Sequence, residues 1–556
     1  MDDLIIKNAR IVDGTGADAF TGDIAVNDGK ITEVGPIDRD ATQVIDAQGL
    51  LVTPGFVDIH THFDGQVCWD KQVTPSCWHG VTTVVMGNCG VGFAPVRPGH
   101  EKELVELMES VEDIPGTALY DGIPWGWESF AAYLDTIDTP YTIDIGTQVP
   151  HVALRHYVMG ERSYDDATAD DMAKMSELTR EGLEAGALGF STSRFYGHRD
   201  KDGNVVPGTH ASADEMLAIA EALAETDSGT MEIISDHLDQ TEELAWIEEV
   251  SRRARRPLTL LVDPGEKLGI WDLADKLAAE GLQIRPQVGA RPASILMTLE
   301  GTVNPMRQFP SYKTIKDLPY DEQRSMLRDP EFRAKVLADE PKVSRFADTN
   351  KMISRWHKMY VLPTDLSYEP GHEDSLAGIA EAQSIDVREA LMDAMADGRP
   401  LLMLFGVYQG DLENQRRAIE SDRSVFGLSD GGAHCGVLCD ASVPTYMLAY
   451  MTRDRTKGPR LSLEHTVHKM TQDTAQVYGL TDRGVIAPGY KADLNIIDYD
   501  ALALEDPEMV HDLPGGGKRL IQKAQGYVAT ICNGEVTYTN GEHTGAMPGR
   551  LVRGGR

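Results

Sequence analysis

Positive charge is what this chain has least of: 52 lysines and arginines stand against 88 aspartates and glutamates, a formal net charge of −36 over 556 residues. Nucleic acid and anionic membrane both need positive surface, so neither is expected as a partner. A solvated acidic surface accounts for the excess. Long apolar runs are also missing. No stretch of about 18 apolar residues occurs, which excludes a membrane-spanning helix. The opening Met1-Asp2-Asp3-Leu4-Ile5-Ile6-Lys7 has neither the basic start nor the apolar middle of a signal peptide, so a cytoplasmic location is expected. Cysteine is scarce and scattered: there are six, with no C-x-x-C pair, and Cys435 and Cys439 stand four apart. That excludes a disulfide framework and leaves the thiols as ligands or small apolar groups. Internal repeats and low-complexity segments are absent too.

What is present is the composition of a globular protein, 41% hydrophobic and 25% charged, long enough for a large α/β unit. The first 50 or so residues read as short strands, with Asp28-Gly29 between two alternating runs as a hairpin signal. The same texture returns in Ala492–Asp498 and Val528–Val536, so both ends are expected to be β-rich. Between them, short apolar strands alternate with amphipathic helices, which argues for parallel βα units. One unit starts at Thr168, an N-cap with Asp171 three residues on; Gly186 ends it and Ala187–Phe190 follows as a strand. Further strands are expected at Val81–Met86, Ile143–Gly146, Met231–Ile234, Leu258–Val262, Gln283–Val288 and Val425–Leu428. With the strand ending at His60 they make eight, the number a (β/α)8 barrel needs. A polar stretch at about 300–395, containing Tyr312, Tyr320, Trp356 and Tyr360, breaks the rhythm and is read as an insertion, a lid or an oligomer contact.

Five residues at the ends of these strands could do chemistry. His60 and His62 in "TPGFVDIHTHFD" are two apart, so they project to one side of a strand end and can share a divalent ion. By itself an H-x-H pair fits two ordinary histidines equally well. Cys89 in "GNCG" ends the next strand, His237 in "SDHL" ends another, and Asp430 in "LSDGG" follows the last. Individually they read as a buried cysteine, a structural histidine and an Asp-Gly turn. Their shared position, the C-terminal mouth of a barrel, is what makes them a candidate site.

The stretches "PGFVDIHTH", "GVTTVVMGNCG", "GALGFSTS", "LSDGGAH" and "DRGVIAPGYKADLNIIDYD" resemble the amidohydrolase superfamily, and within it the N-acyl-D-amino-acid deacylases (D-aminoacylases). The resemblance runs over nearly the whole chain. It implies a TIM-type (β/α)8 barrel over 54–484 carrying the insertion, with a small β-sandwich built from 1–53 and 485–556. It implies zinc, one ion or two, with His60, His62 and Asp430 at one position and Cys89 and His237 at a tighter one. Tyr196 falls near the position of a family tyrosine beside the substrate. The chain departs from the family where a His-His-Lys stretch is usual: here it reads Leu260-Leu261-Val262-Asp263-Pro264-Gly265. Either Asp263 substitutes as a ligand or the site holds one ion in altered geometry.

The expected reaction is hydrolysis of an amide in a small-molecule substrate by activated water, with Asp430 as base and then acid. A substrate carboxylate in so acidic a protein needs a local cation, for which Arg291 and Arg194 are candidates, and His151 could line the pocket. A hydantoinase-type cyclic-amide hydrolase, an aminohydrolase, or an inactive metal-binding relative are the competing expectations, and homo-oligomerisation is left open.

Overall fold

The computed structural model describes residues 1–266, 268–342 and 354–555. Both chain ends enter one nine-stranded sheet. Asp2–Ile11, Phe20–Asn27, Lys30–Gly35, Ala41–Asp46 and Leu51–Pro54 come from one end, and Leu494–Ile497, Tyr527–Cys532, Glu535–Thr539 and Glu542–His543 from the other. The expected hairpin is there: Phe20–Asn27 and Lys30–Gly35 pair antiparallel. Asp28 (φ 49°) and Gly29 (φ 71°) both take the left-handed conformation that a two-residue turn requires. The two ends meet where Leu51–Pro54 pairs antiparallel with Leu494–Ile497. Alternate residues Leu4, Ile6, Val52, Leu494 and Ile496 pack into one core on a single face of this sheet. Leu51–Pro54 then runs directly into Phe56–Asp58 and so sets where His60 emerges.

The middle holds parallel strands at every expected position. Phe56–Asp58, Val81–Met86 and Asp144–Thr147 pair in that order. The third strand resumes as Val149–Pro150, beside Gly189–Arg194, Thr230–Ser235, Leu258–Leu261, Ile284–Val288 and Val425–Phe426. Beyond the last strand, Asp430 N–H donates to His60 O (3.1 Å) and His62 N–H to Gly431 O (2.8 Å). These bonds tie the eighth strand's end to the first. The strands are short apolar runs because both faces are covered. Their crossover helices carry the predicted stop and start signals. Ala169–Ala185 opens with a reciprocal capping box between Thr168 and Asp171 and closes on Gly186 at φ 116°, a cap worth about 1 kcal/mol.

Residues 294–404 depart from this pattern. Ser294–Met297, Leu401–Leu404 and Met359–Val361 form a separate antiparallel sheet. The expected polar interruption has its own apolar core, in which Phe309, Tyr312, Leu327, Leu391 and Met403 are buried. Its surface polarity hid this in the sequence. Among the described residues, no helix is long and apolar enough to cross a membrane.

Candidate functional site

His60 and His62 leave the first strand with their rings 5.4 Å apart and almost no exposed surface. His60 is oriented from behind, because Nδ1 shares a hydrogen bond with Gln287 Oε1 (3.1 Å) on the seventh strand. Its Nε2 therefore faces Cys89 Sγ (3.4 Å) and Asp430 Oδ1 (3.4 Å). His62 Nε2 lies 3.7 Å from the same Asp430 oxygen. The donor atoms of His60, His62 and Cys89 all lie within 4.8 Å of one another.

The loops that deliver Cys89 and Asp430 are held in uncommon conformations. Cys89 (φ 55°), Leu428 (φ 67°), Asp430 (φ 48°) and His434 (φ 49°) are all left-handed. Such backbone costs on the order of 1–3 kcal/mol per residue and persists only where the surroundings fix it. Around Cys89 the fixing is visible. Asn88 donates to Thr61 O (3.1 Å) and Val85 O (2.9 Å) and accepts from Gln148 Nε2 (2.9 Å). Glu232 Oε2 accepts the Cys89 N–H at 2.9 Å. Gly432, at φ 91°, lies where an added Cβ would come within 2.8 Å of Phe63 and 3.0 Å of His62 O, so the Asp430 loop can pack this closely only through glycine.

The charged groups of the pocket shift one another strongly. Burial pushes His60 down to about 4. His62 moves the other way, to about 9, because Glu112 and Asp430 outweigh the burial that would lower it. Burial would likewise raise Asp430, but the His62 hydrogen bond and the His60 and His62 charges hold it far below the ordinary carboxylate range. His62 Nδ1 and Glu112 Oε1 are buried with no hydrogen-bond partner. A buried carboxylate (Glu112), a partly exposed one (Asp430), two imidazoles and a thiol are the ligand types a divalent metal such as zinc takes, so these residues fit such an ion.

The other predicted site residues lie elsewhere. His237 is partly exposed; its Nδ1 bonds Gln240 Nε2 (2.9 Å) and its ring stands 5.0 Å from that of Tyr196. The chain turns at Asp236, which accepts the Tyr196 N–H (2.7 Å), and carries the imidazole away from Cys89. Among the described residues, His237 joins no donor group compact enough for a metal. Tyr196 is itself exposed, against His237 and His210. Asp263 spends both oxygens on backbone N–H groups, of Gly265 (2.8 Å) and Val407 (2.9 Å).

His151 has both ring nitrogens engaged: Nδ1 meets Thr192 Oγ1 and Nε2 meets Glu215 Oε1, each at 2.8 Å. Arg291 is buried, paired with Asp440 (2.9 Å) and placed over the rings of Tyr368 (3.7 Å) and Tyr446 (4.6 Å). Arg194 is paired with Glu243 (2.8 Å). In all three the charge or the ring nitrogens have a partner within the protein.

Four residues at the site went unnamed in the sequence reading. Glu112 ends the helix Glu101–Glu112 and is 1% exposed. Its Oε1 lies 3.6 Å from His62 Nδ1 and its Oε2 3.5 Å from His434 Nε2. His198 is buried, and its Nδ1 shares a hydrogen bond with Ser193 Oγ (2.8 Å). Glu232 has one carboxylate oxygen on the Cys89 N–H and the other unpartnered, and burial pushes it up to about 8. His434 stood in the quoted "LSDGGAH", and Glu232 is a charge inside an apolar strand; both signals were readable. Glu112 is one of several glutamates on an amphipathic helix, and nothing in the sequence singles it out.

Residues 43–538 match the amidohydrolase family. N-acyl-D-aspartate deacylase of Alcaligenes xylosoxydans xylosoxydans is 28% identical, over 100% of this chain and 95% of that protein. D-aminoacylase of the same organism is 26% identical, over 99% and 97%. Among solved structures, N-acyl-D-glutamate deacylase of Bordetella bronchiseptica, complexed with zinc and a phosphonate inhibitor, superposes with a TM-score of 0.65 at 22% identity, over 99% of each chain. A D-aminoacylase with a binuclear metal centre gives 0.63 at 23% identity, over 100% of each chain. At these identities the structural likeness speaks for the fold.

Proposed function

Since this chain belongs to the amidohydrolase family and its deacylase relatives act on C–N amide bonds, we propose that its reaction is release of the acyl group from N-acyl-D-amino acids. The observation that carries this reading is the convergence of His60, His62 and Cys89 donors within 4.8 Å, with the Asp430 carboxylate 3.4 Å and 3.7 Å from the two imidazoles. The deacylase relatives that span the whole chain favour this substrate class. A divalent ion, zinc in this reading, held by His60, His62, Cys89 and Asp430 would polarise the amide carbonyl and make a water acidic enough to attack at neutral pH.

The chain's own residues do the rest. Asp430 is partly exposed and faces both imidazoles, so its carboxylate oxygen is placed to take the proton of the attacking water. The same oxygen then gives that proton to the departing nitrogen, which leaves poorly as an anion. His60, fixed by Gln287, presents Nε2 to the site. Asn88 and Glu232 hold the Cys89 loop still while this happens.

The architecture proposed for this chemistry is a closed barrel over 54–484, supported by the bonds between the first and eighth strand ends, with a small composite domain of 1–53 and 485–556. Six free cysteines accord with a reducing cytoplasm. The test is metal analysis joined to a hydrolysis screen of paired N-acetyl D- and L-amino acids. Stoichiometric metal with D-selective release of amine is expected. Bound metal without hydrolysis of any N-acyl amino acid would overturn the proposal.

A further inference from the structure

We propose that Cys89, Glu112 and His198 hold a second divalent metal ion, through ligands that lie outside the predicted strand-end set. Their donor atoms lie within 4.8 Å of one another and all three residues are buried. Zinc-type bonds of about 2.0–2.3 Å bring tetrahedral donors to roughly 3.3–3.8 Å apart, so small side-chain shifts complete the shell. Each donor is left free for the task. Glu112 Oε1 is buried without a hydrogen-bond partner, an arrangement that costs free energy unless a cation or donor arrives. His198 is tied through Nδ1 to Ser193 Oγ (2.8 Å), which fixes the ring and leaves Nε2 to coordinate. Cys89 Sγ belongs to both donor groups and can serve two ions.

The expected ligands are otherwise engaged. His237 has turned to Gln240 and Tyr196, and Asp263 accepts two backbone N–H groups. The sulfur, nitrogen and oxygen set suits zinc or cobalt better than magnesium or calcium. Glu112 could instead act only by orienting His62. Its 3.6 Å separation from Nδ1 is too long for a hydrogen bond, and orienting His62 gives His198 no part.

This inference rests on the reading of His60, His62 and Asp430 as ligands of the first ion, and the test separates the two. Full-length chain stripped by chelator is titrated with Co²⁺, then desalted for elemental analysis and visible spectroscopy, with circular dichroism as the check on folding. Wild type is expected to retain two cobalt ions per chain. Glu112→Gln and His198→Ala should each keep one and lose the other, and His60→Ala should remove the first. Two ions retained in both Glu112→Gln and His198→Ala overturn the second site, as does a single wild-type ion that neither change affects. Absence of cobalt in the wild type overturns both this inference and the active-site reading. If Glu112→Gln alters the dichroism, the stoichiometry of His198→Gln decides in its place.

Discussion

Replacing Asp430 by asparagine removes one negative charge and one proton acceptor while changing almost nothing else. Asparagine is nearly isosteric and tolerates the left-handed backbone that residue 430 adopts at φ 48°. The N–H of residue 430 would still donate to His60 O, so the loop should keep its place. The chemistry should not survive. A positioned general base or acid contributes about 10²–10⁴-fold in rate, and Asp430 is assigned both roles in succession. At about 1.36 kcal/mol per tenfold, the lower bound of that range is roughly 3 kcal/mol of barrier and the upper roughly 5 kcal/mol. The assay is kcat and KM on an N-acetyl-D-amino acid, with metal content measured on the same sample. A fall in kcat by at least about 10²-fold is expected, with part of the metal retained. An acylated amine of low basicity should recover some of the loss, because its nitrogen needs less protonation to leave. Turnover within about tenfold of wild type at full metal occupancy would refute the shuttle.

Other perturbations probe the supports of the site. Gln287→Leu removes the bond that orients His60 and should weaken metal affinity about 10–100-fold; unchanged affinity in a chelator competition would show that the bond is idle. Arg291→Met leaves the partly buried Asp440 without its partner, so stability in urea should fall by at most about 3–5 kcal/mol while KM barely moves. A large rise in KM at unchanged stability would restore Arg291 as a substrate anchor. Asp144 accepts bonds from Arg483 (2.6 Å), Lys491 and the Arg550 N–H (2.9 Å), and against burial the two cations hold its carboxyl below the ordinary 3.8. A depressed folded value gives stability that is present above the unfolded value and lost as pH falls through the folded one. Asp144→Asn should therefore cost about 3–5 kcal/mol near pH 7, with a gap from wild type that narrows below about pH 4. A gap independent of pH would assign the effect to packing.

The fold was legible because it depends on local signals. The Asp28-Gly29 turn, the Thr168–Asp171 box, Gly186 and the apolar strand runs each act through a few neighbouring residues, and the structure has an element at each. The core within 294–404 was not legible, because its apolar residues are spread over a long stretch and meet only after the sheet forms. The same distinction explains the end strands: alternation announced them, but not the pairing of Leu51–Pro54 with Leu494–Ile497 that joins the two ends.

The site divides along the same line. His60, His62, Cys89 and Asp430 could be found because position at the end of a parallel strand is itself a local signal, and all four converge. His237 carried that signal and still left the cluster. The conformation of the turn after a strand, set here by Asp236 and Tyr196, decides where a side chain points. Glu112 carried no such signal, since its helix reads as an ordinary amphipathic surface segment. It reaches the site because the backbone N–H of His434 bonds the Glu112 carbonyl and the loop after the eighth strand packs over the helix end. A carboxylate placed by a contact between residues 112 and 434 has no counterpart in any short motif. Strand-end residues therefore announce a barrel site, whereas ligands delivered by packed helices and loops emerge only when donors are counted in three dimensions.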